Sequence, residues 1–275
     1  MTDAGANRRR TAGQRRTIRP KAPPPLGPDC ALFLDIDGTL LELAASPEHV
    51  HVDADIATLL PALAKRLGGA VALITGRTLK DADRLFAGLS LPIAGQHGLE
   101  RRAADGSTRV HQPSLPGLRP LRRELARLAA RHDGLLFEDK GATLALHYRR
   151  APGLASHVHR ALRAQLAMAA PGTAWRLQSG KGILELGPRG RDKGTAILEY
   201  LMEPPFVGRL PVFVGDDCSD EHGFVAVTRA GGWAVKVGHG RTQAHYRLPD
   251  VRAVRRWLAA LAAAEGSPSG SAHRA

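Results

Sequence analysis

A chain of 275 residues has room for one large mixed domain or two smaller ones around an ample core. Aromatic residues make up only 4% while Leu, Ala and Val abound, so the core is predicted to be aliphatic. No apolar run reaches the roughly 18 residues of a membrane span, and no secretory segment opens the chain. Cys30 and Cys218 make neither a disulfide framework nor a metal knuckle, and cytoplasmic residence is the expectation.

The formal charge is +13. Residues 1–29 hold seven basic side chains against two acidic ones, in a stretch rich in Pro and Gly. This segment reads as a disordered basic tail, and 265–275 as a loose C-terminal one. A basic balance suits nucleic acid or anionic substrates. No recognised nucleic-acid motif appears, so no nucleic-acid partner is expected; a monomer is favoured.

In chain order, Ala31-Leu32-Phe33-Leu34 has the length and bulk of a strand buried on both faces, and it ends in Asp35-Ile36-Asp37-Gly38-Thr39-Leu40. Ser46-Pro47 marks a loop. Ile56, Leu59, Leu60, Leu63 and Leu67 recur at helical spacing before Gly68-Gly69. A second apolar run, 70–74, closes on Thr75-Gly76-Arg77; a helix through Leu79–Phe86 and a short strand at 91–94 lead to Gly95-Gln96-His97-Gly98. This strand–helix alternation predicts a parallel, doubly wound sheet. From 101 to 188 the pattern changes to two amphipathic helices, around 118–128 and 154–166, with strands at 134–138, 142–148, 174–178 and 182–186. That is an α+β insert set into the first unit, which occupies 30–100 and 189–264. Past 189 come a helix opening at Asp192-Lys193-Gly194, a strand at 211–214 ending in Gly215-Asp216-Asp217, a strand at 234–237 and a last helix through 251–261.

Asp35, Thr75 and Asp216 each lie just beyond a short apolar strand. Open parallel sheets bind ligands at the carboxyl ends of their strands, so one sheet brings the three to one rim. Taken singly, each could be a turn or helix-cap residue; the convergence carries the argument. Buried carboxylates need a cation, and Mg²⁺ suits hard oxygen ligands. Such a site fits phosphoryl transfer, with Asp35 as nucleophile and Asp37 as acid and base. Asp35, Asp216 and the Asp37 backbone carbonyl would hold Mg²⁺. Thr75 and Lys193 would hold the phosphoryl group, with Lys193 also on Asp35. Asp217 and Asp220 would satisfy backbone N–H groups or orient metal waters.

The four segments Asp35-Ile36-Asp37-Gly38-Thr39, Thr75-Gly76-Arg77, Lys193 and Gly215-Asp216-Asp217 resemble the motifs of the haloacid dehalogenase superfamily of phosphatases. With Gly95-Gln96-His97-Gly98-Leu99-Glu100, Glu138-Asp139-Lys140-Gly141, Leu146-His147-Tyr148-Arg149 and Gly180-Lys181-Gly182-Ile183-Leu184-Glu185, the chain is similar to the trehalose-6-phosphate phosphatase family over about 30–221. The resemblance implies a Rossmann-like α/β core with an inserted α+β cap. It also implies a sugar phosphate as substrate, Mg²⁺ as cofactor, and trehalose hydroxyls bound by Glu138, Lys140 and Glu185. Gly76 and Arg77 join the substrate-binding positions, and His97 and Gly98 line the core–cap junction. His147 and Arg149 read first as cap-stabilising. The alternatives are a sucrose-phosphate or mannosylglycerate-phosphate phosphatase, or a nucleic-acid-binding protein using the basic tail.

Overall fold

The computed structural model describes residues 21–44, 50–111, 117–169 and 175–263. The predicted loop at Ser46-Pro47, the tail at 265–275 and residues 1–20 of the basic tail lie outside these.

Six strands run parallel in one large sheet: β1 (Cys30–Leu34), β2 (Val71–Ile74), β3 (Ile93–Gly95), β10 (Leu210–Gly215), β11 (Trp233–Val237) and β12 (Tyr246–Leu248). Two antiparallel strands, β4 (Glu100–Arg102) and β5 (Thr108–Val110), complete the order β12-β11-β10-β1-β2-β3-β4-β5. β1 lies between β2 and β10, so the strand order reverses beside it. The sheet therefore continues past residue 100, where the sequence pattern placed the start of the insert. The β4–β5 hairpin is short, charged and antiparallel to its neighbour, and it lacks the continuous apolar run that marks a buried parallel strand.

Alternation along β1 explains why helices cover both sides. Leu32 and Leu34 join one apolar cluster with Ile56, Leu60 and Leu63 of α1 (Ala54–Arg66) and Val254 and Leu258 of α7 (Val251–Ala263). Ala31 and Phe33 join the other, with Ile197 and Tyr200 of α5 (Lys193–Tyr200) and Phe224 and Val227 of α6 (Glu221–Arg229). Successive strand residues point to opposite faces, so an unbroken apolar run needs a helical layer on each side. A short helix, α2 (Leu79–Leu85), buries Ala82 beside β3.

The second sheet has four antiparallel strands in the order β6-β7-β9-β8: β6 (Leu136–Asp139), β7 (Leu144–His147), β8 (Trp175–Gly180) and β9 (Ile183–Pro188). Leu144, Leu146, Leu184 and Leu186 turn one face toward Leu121 and Leu125 of α3 (Leu118–Ala130) and Val158 and Leu162 of α4 (Ala155–Ala169). The opposite face carries the polar residues of the alternation and looks toward the C-terminal ends of β1, β2 and β10.

Residues 21–29 belong to the packed body, against the expectation of a disordered tail through 29. Leu26 is buried in the core cluster. The Lys21 carbonyl accepts the Arg247 N–H at 3.1 Å, and the Pro24 carbonyl accepts the Trp257 indole N–H at 3.2 Å. The Pro and Gly content obscured this, because the segment is held by its carbonyls and one apolar side chain without regular structure. Among the described residues, no helix is long and apolar enough to cross a membrane.

Candidate active site

Backbone hydrogen bonding sets the frame. The Asp35 N–H donates to the Val214 carbonyl at 3.0 Å, tying the exit of β1 to that of β10 two residues before Asp216. Between them the chain must turn hard. Gly38 takes φ +83°, and a Cβ there would stand 2.2 Å from Asp216 Oδ2. A side chain at this position would therefore enter the space of the second carboxylate.

Four elements deliver the charged groups. Lys193, the first residue of α5, is fixed by a capping box: Asp192 Oδ1 accepts the Thr195 N–H at 2.8 Å, and Thr195 Oγ1 accepts the Asp192 N–H at 3.0 Å. Its ammonium donates to Asp35 Oδ1 and to Asp220 Oδ1, each at 2.6 Å. Burial alone would lower the pKa of this lysine, but Asp220 and Asp35 outweigh it and raise it above the ordinary value. Thr39 donates its hydroxyl to Asp35 Oδ2 at 3.3 Å. Thr75 is buried beside them, at the end of β2, and its Oγ1 accepts the Arg77 N–H at 3.1 Å.

The carboxylates of Asp35, Asp216 and Asp220 present oxygens within 4.8 Å of one another, all buried. They are not equivalent. Asp220 Oδ2 accepts the N–H groups of Asp216 and Asp217 at 2.9 and 2.8 Å, and its other oxygen holds Lys193, so Asp220 is fully engaged. Asp216 Oδ1 is buried and has no hydrogen-bond partner among the described residues. Burial pushes the Asp35 pKa well up, helped by Asp220 and Asp216 and only partly opposed by Lys193. Asp216 is likewise raised by burial and by Asp220. Two under-compensated carboxylates and an orphaned oxygen are the donor set of a hard divalent cation. The residues present fit Mg²⁺.

Asp37 also lines the cleft, with a partner of its own. Arg77 grips it bidentately, Nε to Oδ2 and Nη2 to Oδ1, both at 2.7 Å. Asp217 Oδ1 caps the short 3₁₀ turn at Cys218–Asp220 through the Cys218 N–H at 2.8 Å, and its Oδ2 accepts the Lys181 N–H at 3.2 Å. Lys181 also extends its ammonium to Asp216 Oδ2, and Lys236 donates to the Asp216 carbonyl. The β8–β9 turn thus rests directly on the acidic loop. Gly180 makes this approach possible, since a Cβ there would meet Asp217 Oδ2 at 2.6 Å.

The four-stranded sheet supplies the opposite wall. Lys140 donates to the Gly76 carbonyl at 2.9 Å and to Glu185 Oε2 at 2.8 Å, and lies 3.9 Å from Glu138. Burial alone would lower Lys140, but Glu185 and Glu138 hold it above its ordinary value. His97 Nε2 sits 3.0 Å from Glu185 Oε1, and His147 Nε2 sits 2.7 Å from Glu138 Oε2. Burial holds the His97 pKa down, against the opposite pull of Glu185. Burial works to raise Glu185, yet Lys140 and then His97 overcome it and leave it well below the carboxylate range. Glu138 is also raised by burial and lowered further by the His147 bond and Lys140. His97 and Gln96 adopt positive φ of 57° and 45°, rare for residues with a Cβ, in the 3₁₀ turn Gln96–Gly98 at the junction of the two sheets. Gly98 follows at φ +94°, against Ala196 of α5. Between the walls lies a cleft of about 270 Å³, lined from both sides.

A family model described as trehalose-phosphatase matches residues 33–252. The chain belongs to the trehalose-phosphatase family. It is 43% identical over 235 residues to a probable trehalose-phosphate phosphatase of Sinorhizobium fredii, covering 84% of this chain and 87% of that one. It is 42% identical over 236 residues to trehalose-6-phosphate phosphatase of Escherichia coli, covering 86% and 87%. Among solved structures, the C-terminal domain of the Candida albicans trehalose-6-phosphate phosphatase superposes with TM-score 0.77 at 19% identity, covering 85% of this chain and 91% of that one. That likeness bears on the fold alone.

Lys236 was not singled out by sequence reasoning, and some pairings of residues that were singled out could not be read from it. Lys236 lies inside an apolar strand, which is a readable signal: a lone lysine in a buried run needs a partner at the strand's end. The Asp37–Arg77 pair, 40 residues apart, has no local signature. Arg149, expected to brace the cap, donates to the Ala44 carbonyl of the core as well as to the Lys181 carbonyl at 2.9 Å.

Proposed function

We propose that this protein hydrolyses trehalose 6-phosphate to trehalose and phosphate, with Mg²⁺, through an aspartyl-phosphate on Asp35. The observation that carries the reading is the cleft itself. Asp35, Thr75, Lys193 and Asp216 stand on one wall, facing Glu138, Lys140 and Glu185 on the other, in a chain of the trehalose-phosphatase family.

Asp35 Oδ attacks phosphorus, and the bond to the sugar oxygen breaks as Asp37 donates a proton to it, releasing trehalose. Asp37, now a carboxylate, takes a proton from water; that oxygen attacks the phosphoaspartate, frees phosphate and regenerates Asp35. Arg77 keeps Asp37 aimed into the cleft until the substrate arrives. Thr75 and Lys193 hold phosphoryl oxygens, and Lys193 fixes the attacking carboxylate. Asp35 and Asp216, with the Asp37 carbonyl, would hold Mg²⁺, which supplies the positive charge that lets a carboxylate approach a phosphate dianion. Glu138, Lys140 and Glu185 bind sugar hydroxyls, with Gly76, His97 and Gly98 shaping the junction. Such an enzyme works in the cytoplasm on a small sugar phosphate and needs no nucleic acid.

Phosphate release from a panel of sugar phosphates tests the reading. Trehalose 6-phosphate is expected to exceed glucose 6-phosphate, sucrose 6-phosphate and mannosylglycerate phosphate in kcat/KM by at least about 100-fold. Equal rates across the panel would remove the substrate assignment.

A further inference from the structure

The four-stranded sheet sets its side chains in straight rows. Glu138 stands opposite Ala145, Ala145 opposite Glu185, and Glu185 opposite Gln178. Directly opposed residues share a face, so these four form one row across all four strands, a width of about 14 Å at the usual strand spacing. Glu138, Glu185 and Gln178 all line the cleft, and Ala145 leaves the middle of the row low.

The members differ in what they have spare. Glu138 Oε2 is occupied by His147 and Glu185 Oε2 by Lys140, while Glu185 Oε1 lies 3.0 Å from the His97 ring without a hydrogen bond. Gln178 Oε1 is buried and meets no donor among the described residues. Buried carbonyl oxygens in folded proteins almost always have a partner, because leaving one unpaired forfeits its hydration. This one belongs to a residue lining the cleft, so a bound ligand can supply the missing donor. Since the amide carries no charge, a neutral hydroxyl suits it. A sugar anchored by its phosphate at Asp35 can touch both ends of so wide a row only if it has two rings.

We propose that Gln178 is a specificity-determining residue: its Oε1 accepts a hydroxyl of the sugar and, together with Glu138 at the opposite end of the row, selects disaccharide over monosaccharide monophosphates. This deepens the functional reading above and rests on it.

The test compares kcat/KM for trehalose 6-phosphate and glucose 6-phosphate in the intact protein, in Gln178→Met and in Ser179→Ala. Methionine keeps the length of the side chain and removes its polar atoms. Ser179 lies next along β8, exposed on the other face, and its variant should keep the parent ratio. In Gln178→Met the ratio of the two substrates is expected to fall by about 10- to 100-fold. Calorimetric binding of trehalose should weaken by a similar factor. A folded Gln178→Met protein, by circular dichroism, with the parent ratio and parent trehalose affinity overturns the proposal. If that variant does not fold, Gln178→Asn, which withdraws the amide by one methylene, gives the same readout. A parent ratio near one would overturn the substrate reading, and this inference with it; a high parent ratio that survives in the variant overturns this inference alone.

Discussion

At the rim of the large sheet, burial leaves Asp35 and Asp216 with raised pKa values; on the face of the small sheet, Glu138 and Glu185, also largely buried, sit below the ordinary glutamate value. Both regions take carboxylates out of water. The difference lies in the company each keeps. Asp35 has one ammonium, shared with Asp220, and two other carboxylates close by. Glu185 has Lys140 at 2.8 Å on one oxygen, closer than Glu138 has it at 3.9 Å, and the His97 ring 3.0 Å from the other. An under-compensated cluster is poised for a cation, whereas a compensated one presents fixed acceptors and donors to a neutral ligand. One cleft thus combines a wall suited to Mg²⁺ and phosphate with a wall suited to hydroxyls.

The contrast breaks first at Asp35. Asp35→Asn should lower turnover by about 10⁴-fold or more. Without metal its thermal midpoint should not fall, because burial and the neighbouring carboxylates work against the charged form of this side chain. A midpoint several degrees lower, by calorimetry, would mean that the carboxylate is fully compensated after all.

Next is the cation. Chelation should reduce phosphate release to background, and added Mg²⁺ should restore it. Asp216→Asn should weaken Mg²⁺ binding by isothermal titration at least 10-fold, since it removes one of two anionic ligands. Turnover untouched by chelator would leave the raised carboxylates without their explanation.

The small sheet answers in the opposite sense. Glu185→Gln leaves Lys140 buried without its main partner and should cost about 3 kcal/mol by chemical denaturation. A residual ion pair with Glu138 at 3.9 Å would soften the loss.

The smallest effect is in pH. A carboxyl whose folded pKa lies below its unfolded value stabilises the protein above the unfolded value. That contribution falls away as pH drops below the ordinary 4.5 and through the folded pKa. Stability of the parent protein should therefore decline on acidification from about 4.5, and the decline should be shallower in Glu185→Gln.

Much of this was legible in the residues. Apolar runs such as 70–74 and 211–214 specify strands buried on both faces. The residues directly after each run specify the rim, because strand ends in an open parallel sheet are the same place in space. Lys193 was legible only beside those motifs, yet it stands 2.6 Å from Asp35. Other features depend on register, which periodicity does not fix. Nothing in the sequence says that Gln178 pairs with Glu185, or that the turn at Gly180 lands on Asp217. The β4–β5 hairpin was assigned to the insert because three-residue charged strands carry almost no pattern. The packing of 21–29 was hidden by its Pro and Gly content, since a segment held by carbonyls leaves no periodic trace.

That packed leader has a practical side. It lies along the outer strand β12, where the Arg247 amide meets the Lys21 carbonyl, and it covers the Trp257 indole. Open sheet margins invite intermolecular strand pairing, and proteins commonly blunt them with a covering loop. A version of this protein trimmed to begin at Lys21 keeps its guard. One trimmed eight residues deeper would bare both an unpaired strand margin and an indole, and loss of solubility there would mimic loss of a functional tail.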